Sequence, residues 1–279
     1  MNDRIALLAA ALLISAPLRA QTVAENLRAE GAGALAASFQ ALSALAAKTR
    51  PDAPVRPEPG HPGRWIPRGE ELPENCANLP VVAIQDGEIS KNGLRLGDRA
   101  STYRANCDGL VVWRNDSGEL YRETQKVGDN VTEYDVAWHG DVLVWKDFSG
   151  DLHLGSDDLG RVESYSFLKY TGDVVWKDGW GDLYRNREKL GRAQNYAAAA
   201  RTATVAWVDD FGNLHRDGVE LGRAQTWQIS DRTGDVGWLD EYRNLHKNGV
   251  QVGTDVNQFT LREDGKLIWV DSWGATHSA

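Results

Sequence analysis

Cysteine and methionine are scarce in this chain, with two Cys and one Met among 279 residues. Two cysteines are too few for a disulfide-dense scaffold, and a structural zinc site normally needs four ligands. Positive charge is also short. There are 31 Lys and Arg against 40 Asp and Glu, a net charge of −9 that is spread along the chain rather than gathered in one tail. Such a surface repels phosphate backbones, which argues against nucleic acid as a partner. A long hydrophobic run is missing too. The apolar stretch from Ile5 to Ala16 is too short to span a bilayer. No nucleophile elbow, phosphate-binding glycine loop or HExxH motif occurs.

The N-terminal region has a different character from the rest. Residues 1–20 combine a short polar segment containing Arg4, the apolar run, Pro17 and a small residue, Ala20, before Gln21. That order reads as a secretory signal peptide, so a periplasmic or secreted protein is expected, with no membrane span after cleavage. No cysteine lies near the cut, which argues against a lipoprotein. Residues 21–50 are alanine-rich, with Leu27, Leu35, Phe39, Leu42 and Leu45 roughly on one helical face, and are expected to form a short helix. Residues 51–62 read as a proline-rich, extended linker.

From residue 63 onward the chain repeats, which explains its eleven tryptophans. Val82, Trp113, Trp145, Trp176, Trp207, Trp238 and Trp269 follow one another at intervals of 31 or 32 residues. Five positions after each marker stand Gly87, Gly118, Gly150, Gly181, Gly212, Arg243 and Gly274, and seven after it Ile89, Leu120, Leu152, Leu183, Leu214, Leu245 and Thr276. A further glycine closes each of the first six units, and an aromatic residue follows it. Each unit reads as four short strands. Asn92-Gly93, Asp217-Gly218 and Asn248-Gly249, between the third and fourth, suit the type I′ turn, which makes antiparallel hairpins and has no place in a parallel β-helix.

Self-similarity of this kind over seven units predicts an all-β, seven-bladed β-propeller. The last unit reaches Ala279 after its third strand, and one period before Leu96 lies Trp65 in "GRWIP". An N-terminal strand is therefore expected to complete the last blade and close the ring. Cys76 and Cys107 are 31 residues apart at equivalent positions in neighbouring units, and in an exported protein they are expected to form a disulfide between blades one and two.

The phrase "TGDVVWKDGWGDLYRN…LGRA" resembles the TolB-type, WD40-like propeller repeat over roughly residues 63–279. A turn precedes a hydrophobic strand, followed by a polar glycine turn, a Leu-Tyr strand and a short closing strand. The unit is shorter than is typical of that family. The resemblance implies a periplasmic or secreted, non-catalytic interaction module and carries over no functional residue.

Candidate chemistry lies in the turns between second and third strands. Asp147, Asp178, Asp209, Asp240 and Asp271 stand two residues after their markers, and Trp180, Phe211, Tyr242 and Trp273 four after. Flat aromatics beside carboxylates suit sugar rings and their hydroxyls. Alternatively, each Asp caps its own turn and each aromatic packs over the neighbouring hairpin. Arg161, Arg192 and Arg223 are expected to pair with those carboxylates across blades. The turns also supply oxygen donors at short spacing, so calcium is conceivable, although the pattern is not an EF-hand and no other metal or cofactor is indicated. His153, His215, His246 and His277, which alternate with Tyr121 and Tyr184, read as blade-to-blade contacts. His139 lies where unit three carries one extra residue. Very short loops leave little material for a deep catalytic pocket. The leading reading is an exported, monomeric, non-enzymatic scaffold for a protein partner. A glycan-binding surface comes second and a glycan hydrolase or lyase third.

Overall fold

A computed structural model describes residues 79–279 together with Pro73 and Cys76. The signal segment, the alanine-rich helix, the proline-rich linker and the closing N-terminal strand expected from the sequence lie outside the described residues. Among the described residues the secondary structure is entirely β, in twenty-five strands. All nine prolines fall at or before Pro80, so no strand loses a ladder donor to a pyrrolidine ring.

The strands pair antiparallel with their sequence neighbours, unit by unit. Unit two comprises Ala100–Ala105, Val111–Asn115, Leu120–Arg122 and Gln125–Gly128. Unit five comprises Asn195–Ala198, Val205–Val208, Asn213–Arg216 and Val219–Arg223, and unit six Thr226–Ile229, Val236–Leu239, Leu245–Lys247 and Val250–Gly253. Three strands are described for unit one (Val82–Gln85, Glu88–Lys91, Leu94–Gly97) and three for unit seven (Val256–Leu261, Leu267–Asp271, Thr276–Ser278).

Units three and four depart from the expected separation. Asp157–Leu168 runs unbroken between them, pairing with Asp151–Leu154 at its start and with Asp173–Asp178 along its end. The two units therefore form one seven-stranded sheet, with an irregularity between Val162 and Ser164 where the strand changes partner.

The marker tryptophan is central because of its register. Across each sheet it sits between an aromatic on the first strand and a Tyr or His on the third, as in Tyr196–Trp207–His215 and Trp227–Trp238–His246. The third-strand ring stacks on the indole in every unit from two to seven, with centroids 3.7 Å apart in the tightest pair, Trp145–His153, and 5.4 Å in the loosest, Trp269–His277. Successive strand residues point to opposite faces. The adjacent third-strand leucine therefore faces the other way, into the next unit. Ile89 packs with Trp113, Leu120 with Trp145, Leu152 with Trp176, Leu183 with Trp207, Leu214 with Trp238 and Leu245 with Trp269. These six aliphatic side chains are fully buried, and each contributes on the order of 1.5–3 kcal/mol by leaving water.

The unit-closing glycine is explained by the same contact. It lies in the fourth strand beneath the indole of the following unit, where a Cβ on Gly97 would stand 2.4 Å from Trp113 and one on Gly222 2.8 Å from Trp238. Gly97, Gly128, Gly222 and Gly253 thus serve close approach, whereas Gly160 of unit three meets no indole and stands at φ 90°. The third-to-fourth turns behave as the sequence suggests, with φ of 49° and 79° at Asn92 and Gly93, 47° and 87° at Asp217 and Gly218, and 50° and 86° at Asn248 and Gly249.

First strands bring neighbouring sheets closest, Ala100–Ala105 approaching Val131–Val136 and Thr226–Ile229 approaching Val256–Leu261. First-strand tyrosines reach back one unit: Tyr134 Oη donates to Thr102 Oγ1 at 2.9 Å and Tyr165 Oη to Glu133 at 3.0 Å. At the end carrying the first-to-second turns, Cys76 and Cys107 form the expected disulfide and cluster with Leu79, Trp138 and Tyr170.

Candidate binding surface

At the opposite end of each sheet are the turns between second and third strands. In units four to seven the marker-plus-two aspartate builds the turn. Asp178 Oδ1 accepts the amides of Trp180 and Asp182, both at 2.9 Å. Asp209 accepts those of Phe211 and Asn213, Asp240 those of Tyr242 and Asn244, and Asp271 those of Trp273 and Ala275. The residue at marker-plus-five closes the turn at positive φ. Unit six uses Arg243 there, at 65°, in place of glycine, and its guanidinium is held by the Val256 carbonyl at 3.0 Å.

The second carboxylate oxygen is also engaged in three units. His215, His246 and His277 donate from Nε2 to Asp209, Asp240 and Asp271 at 3.0, 3.3 and 2.9 Å. In unit three the corresponding His153–Asp147 separation is 3.7 Å, too long for a hydrogen bond, and His153 Nε2 is buried without a partner. Burial alone would raise the pKa of Asp209 and Asp240. Hydrogen bonds from the histidines, turn amides and, for Asp240, the Asn244 side chain hold both below the usual carboxylate range. Asp271 is lowered in the same way, chiefly by His277. Asp147 likewise accepts the Asp151 amide at 3.0 Å, so all five candidate aspartates turn inward on their own turns. The histidines correct the expectation of blade-to-blade contact, because His215, His246 and His277 span from their own unit's indole to their own unit's aspartate and His153 stacks on its own unit's indole.

The aromatics point the other way. Trp180, Phe211, Tyr242 and Trp273 are 82%, 78%, 74% and 74% exposed. They do not pack over neighbouring hairpins as the structural alternative required. A fifth, Phe148, is 84% exposed on the turn of unit three. It stands three rather than four residues after its marker, so a strict reading of the period passes over it, and the phrase "DFSG" was the available signal. The other large apolar side chains exposed among the described residues, Val81, Leu94, Val219 and Val250, are all aliphatic.

Contacts between units place these turns along one edge of the stacked sheets. Arg192, at the end of unit four, donates to the Trp180 carbonyl at 3.1 Å and lies 3.5 Å from Asp210 in the turn of unit five. This corrects the expectation that Arg192 pairs with the turn-building carboxylates, since Asp178 and Asp209 already have partners. A shallow depression of about 530 Å³ lies at the same end between units two and three, bounded by Phe148, Arg114, Asn130 and the turn Asn115–Gly118. Here Asn115 replaces the capping aspartate, accepting the Ser117 and Glu119 amides at 3.0 and 2.9 Å. His139 lies at the other end, where its Nδ1 is 3.0 Å from Asp108 and the buried Asn106 donates to the Gly140 carbonyl at 2.6 Å. The extra residue of unit three is thus absorbed in a hydrogen-bonded turn. Among the described residues no three His, Cys, Asp or Glu side chains converge as metal ligands.

The fold and surface define an all-β repeat protein with one outward aromatic on each of five successive rigid turns. No family model matches the chain, and neither does any curated protein. Among solved structures, an Hsv2 variant with loop 6CD replaced by a Gly-Ser linker matches at 11% identity, covering 68% of this chain and 85% of that one, with a TM-score of 0.33. Kluyveromyces lactis Hsv2 matches at 9% identity over 61% of this chain and 70% of its own, with a TM-score of 0.32. The WD40 β-propeller domain of Doa1 matches at 10% identity over 73% and 89%, with a TM-score of 0.26. Overlap this limited carries no weight for fold or function.

Proposed function

We propose that the chain is an exported, non-enzymatic binding protein whose seven units close into a propeller, and that it holds glycans on the aromatic-bearing turn edge. The observation that carries the reading is the exposure of Phe148, Trp180, Phe211, Tyr242 and Trp273 on hydrogen-bonded turns. A turn already fixed by its Asp loses little conformational freedom when a ligand stacks on it. Single aromatics separated by charged side chains such as Asp210 and Glu241 suit separate sugar rings better than one continuous apolar partner surface. Ring stacking contributes only about 0.5–1.5 kcal/mol per contact, so affinity depends on several turns engaging one glycan or one glycan-coated surface. Ring closure is supported by the seven tandem antiparallel units, a number and arrangement that suit a propeller.

Trp180 and Trp273 are the exposed tryptophans among the described residues, whereas Trp113, Trp145, Trp176, Trp207, Trp238 and Trp269 are buried. The difference in iodide quenching between the parent and the Trp180→Ala, Trp273→Ala double variant therefore reports on the candidate surface, free of the half-buried Trp227 and of Trp65, which lies outside the described residues. A bound oligosaccharide is expected to protect both indoles, lowering the quenching slope in a saturable way. The effect should shrink in Trp180→Ala and Trp273→Ala and disappear in the double variant. Unchanged quenching across neutral and acidic oligosaccharides would turn the assignment back to a protein partner.

A further inference from the structure

We infer that the depression between units two and three is a separate subsite for a carboxylated sugar, with Arg114 binding the carboxylate and Phe148 stacking on the ring. The inference rests on the glycan reading of the turn edge, shares Phe148 with it, and adds Arg114 and Asn130. The about 530 Å³ of space falls within the ordinary range for small-ligand sites. Here an exposed aromatic faces a turn with none of its own: unit two presents Asn115-Asp116-Ser117-Gly118, and Phe148 of unit three forms the facing wall.

Charge selects the ligand class. The protein carries a net −9, yet Asp116, the one carboxylate that lines this depression, is ion-paired, and those farther out share two lysines. Asp116 pairs with Arg99 at 2.7 Å, Glu119 and Asp129 both pair with Lys126 at 2.6 Å, and Glu133 pairs with Lys146 at 2.7 Å. Hydrogen bonds from Lys126, Asn115 and Tyr121 hold the Glu119 carboxyl at about 2, so it stays ionised and committed to them.

Arg114 has no such partner among the described residues. Its Nη1 donates to the Val131 and Thr132 carbonyls at 2.8 and 3.1 Å, which fixes the guanidinium plane. Its Nε is buried without an acceptor, and Nη2 has no hydrogen-bond partner among the described residues, which leaves Nη2 for an incoming anion. A guanidinium held in place and lacking a counter-ion matches a carboxylate. Asn130, exposed at the rim, supplies an amide for ring hydroxyls.

The test is a titration with labelled trigalacturonate and with its methyl-esterified form, which keeps the rings and masks the carboxylates. The free acid is expected to bind roughly tenfold or more tightly, as loss of a charge-assisted hydrogen bond implies. The preference should vanish in Arg114→Gln and binding of the acid should weaken in Phe148→Ala, while Trp180→Ala with Trp273→Ala leaves the preference intact. Arg114 also braces two carbonyls, so Phe148→Ala, which touches no fold element, carries the test if Arg114→Gln does not fold. Equal binding of the two forms, or a preference indifferent to both Arg114→Gln and Phe148→Ala, would overturn the subsite. In that case, loss of binding in the Trp180/Trp273 double variant would still support the wider turn surface. Binding of neither form to any variant or the parent would count against both.

Discussion

Trp207→Ala is expected to destabilise the protein by about 3–5 kcal/mol, while Trp180→Ala changes stability by less than about 0.5 kcal/mol. Both are tryptophans of the same repeat, four residues from equivalent positions. Trp207 is 2% exposed, stacks on His215 and lies in one cluster with Leu183, Val175 and Val205, so its removal leaves a cavity between units four and five. Trp180 stands in water, and what its turn needs from residue 180 is the backbone amide bound to Asp178. Urea unfolding followed by far-ultraviolet circular dichroism checks the pair. Comparable losses from both substitutions would mean that the exposed ring is structural.

Removing the disulfide, by Cys76→Ser with Cys107→Ser, is expected to cost about 3–4 kcal/mol on the chain-entropy model for a loop of this length. The bridge closes a separation of 31 residues and joins the first two units. The loss should be local as well as global. Cys107 donates its amide to the Trp138 carbonyl at 2.9 Å, and Trp138 donates to the Lys169 carbonyl at 2.8 Å, so the bridge anchors a series of turn-to-turn contacts that runs on into units three and four. Amide hydrogen exchange is expected to rise most in Val82–Gln85, Glu88–Lys91 and Leu94–Gly97, and least in units five and six. A uniform rise, or none, would mean that the bridge adds little to the contacts around it.

Much of the architecture was legible in the sequence because it depends on periodic steric demands. A tryptophan every 31 or 32 residues, a leucine seven positions later and a glycine fifteen positions later mark one packing contact repeated around the series. The Asn-Gly and Asp-Gly turns announced positive φ, and the cysteines announced their bridge through equivalence of position. Less could be read where a residue's role depends on what lies over it. Period places Trp180 and Trp273 in turns but does not say whether a neighbouring hairpin covers them, and it leaves His215 equally suited to its own indole or to the next unit. The one-residue displacement of Phe148 hid the aromatic that bounds the depression. Nor did the "LGRV" of unit three differ enough from "LGRA" in units four and five to reveal that Asp157–Leu168 runs through as a single strand.

The central claim is that the exposed aromatics serve recognition and not folding. The most direct measurement compares the parent with a variant carrying Phe148→Ala, Trp180→Ala, Phe211→Ala, Tyr242→Ala and Trp273→Ala together, scored on a glycan array and by urea midpoint. An unchanged midpoint with glycan binding lost is the expected result. Glycan binding that survives all five substitutions, or a parent protein that binds no glycan on the array, would contradict the claim.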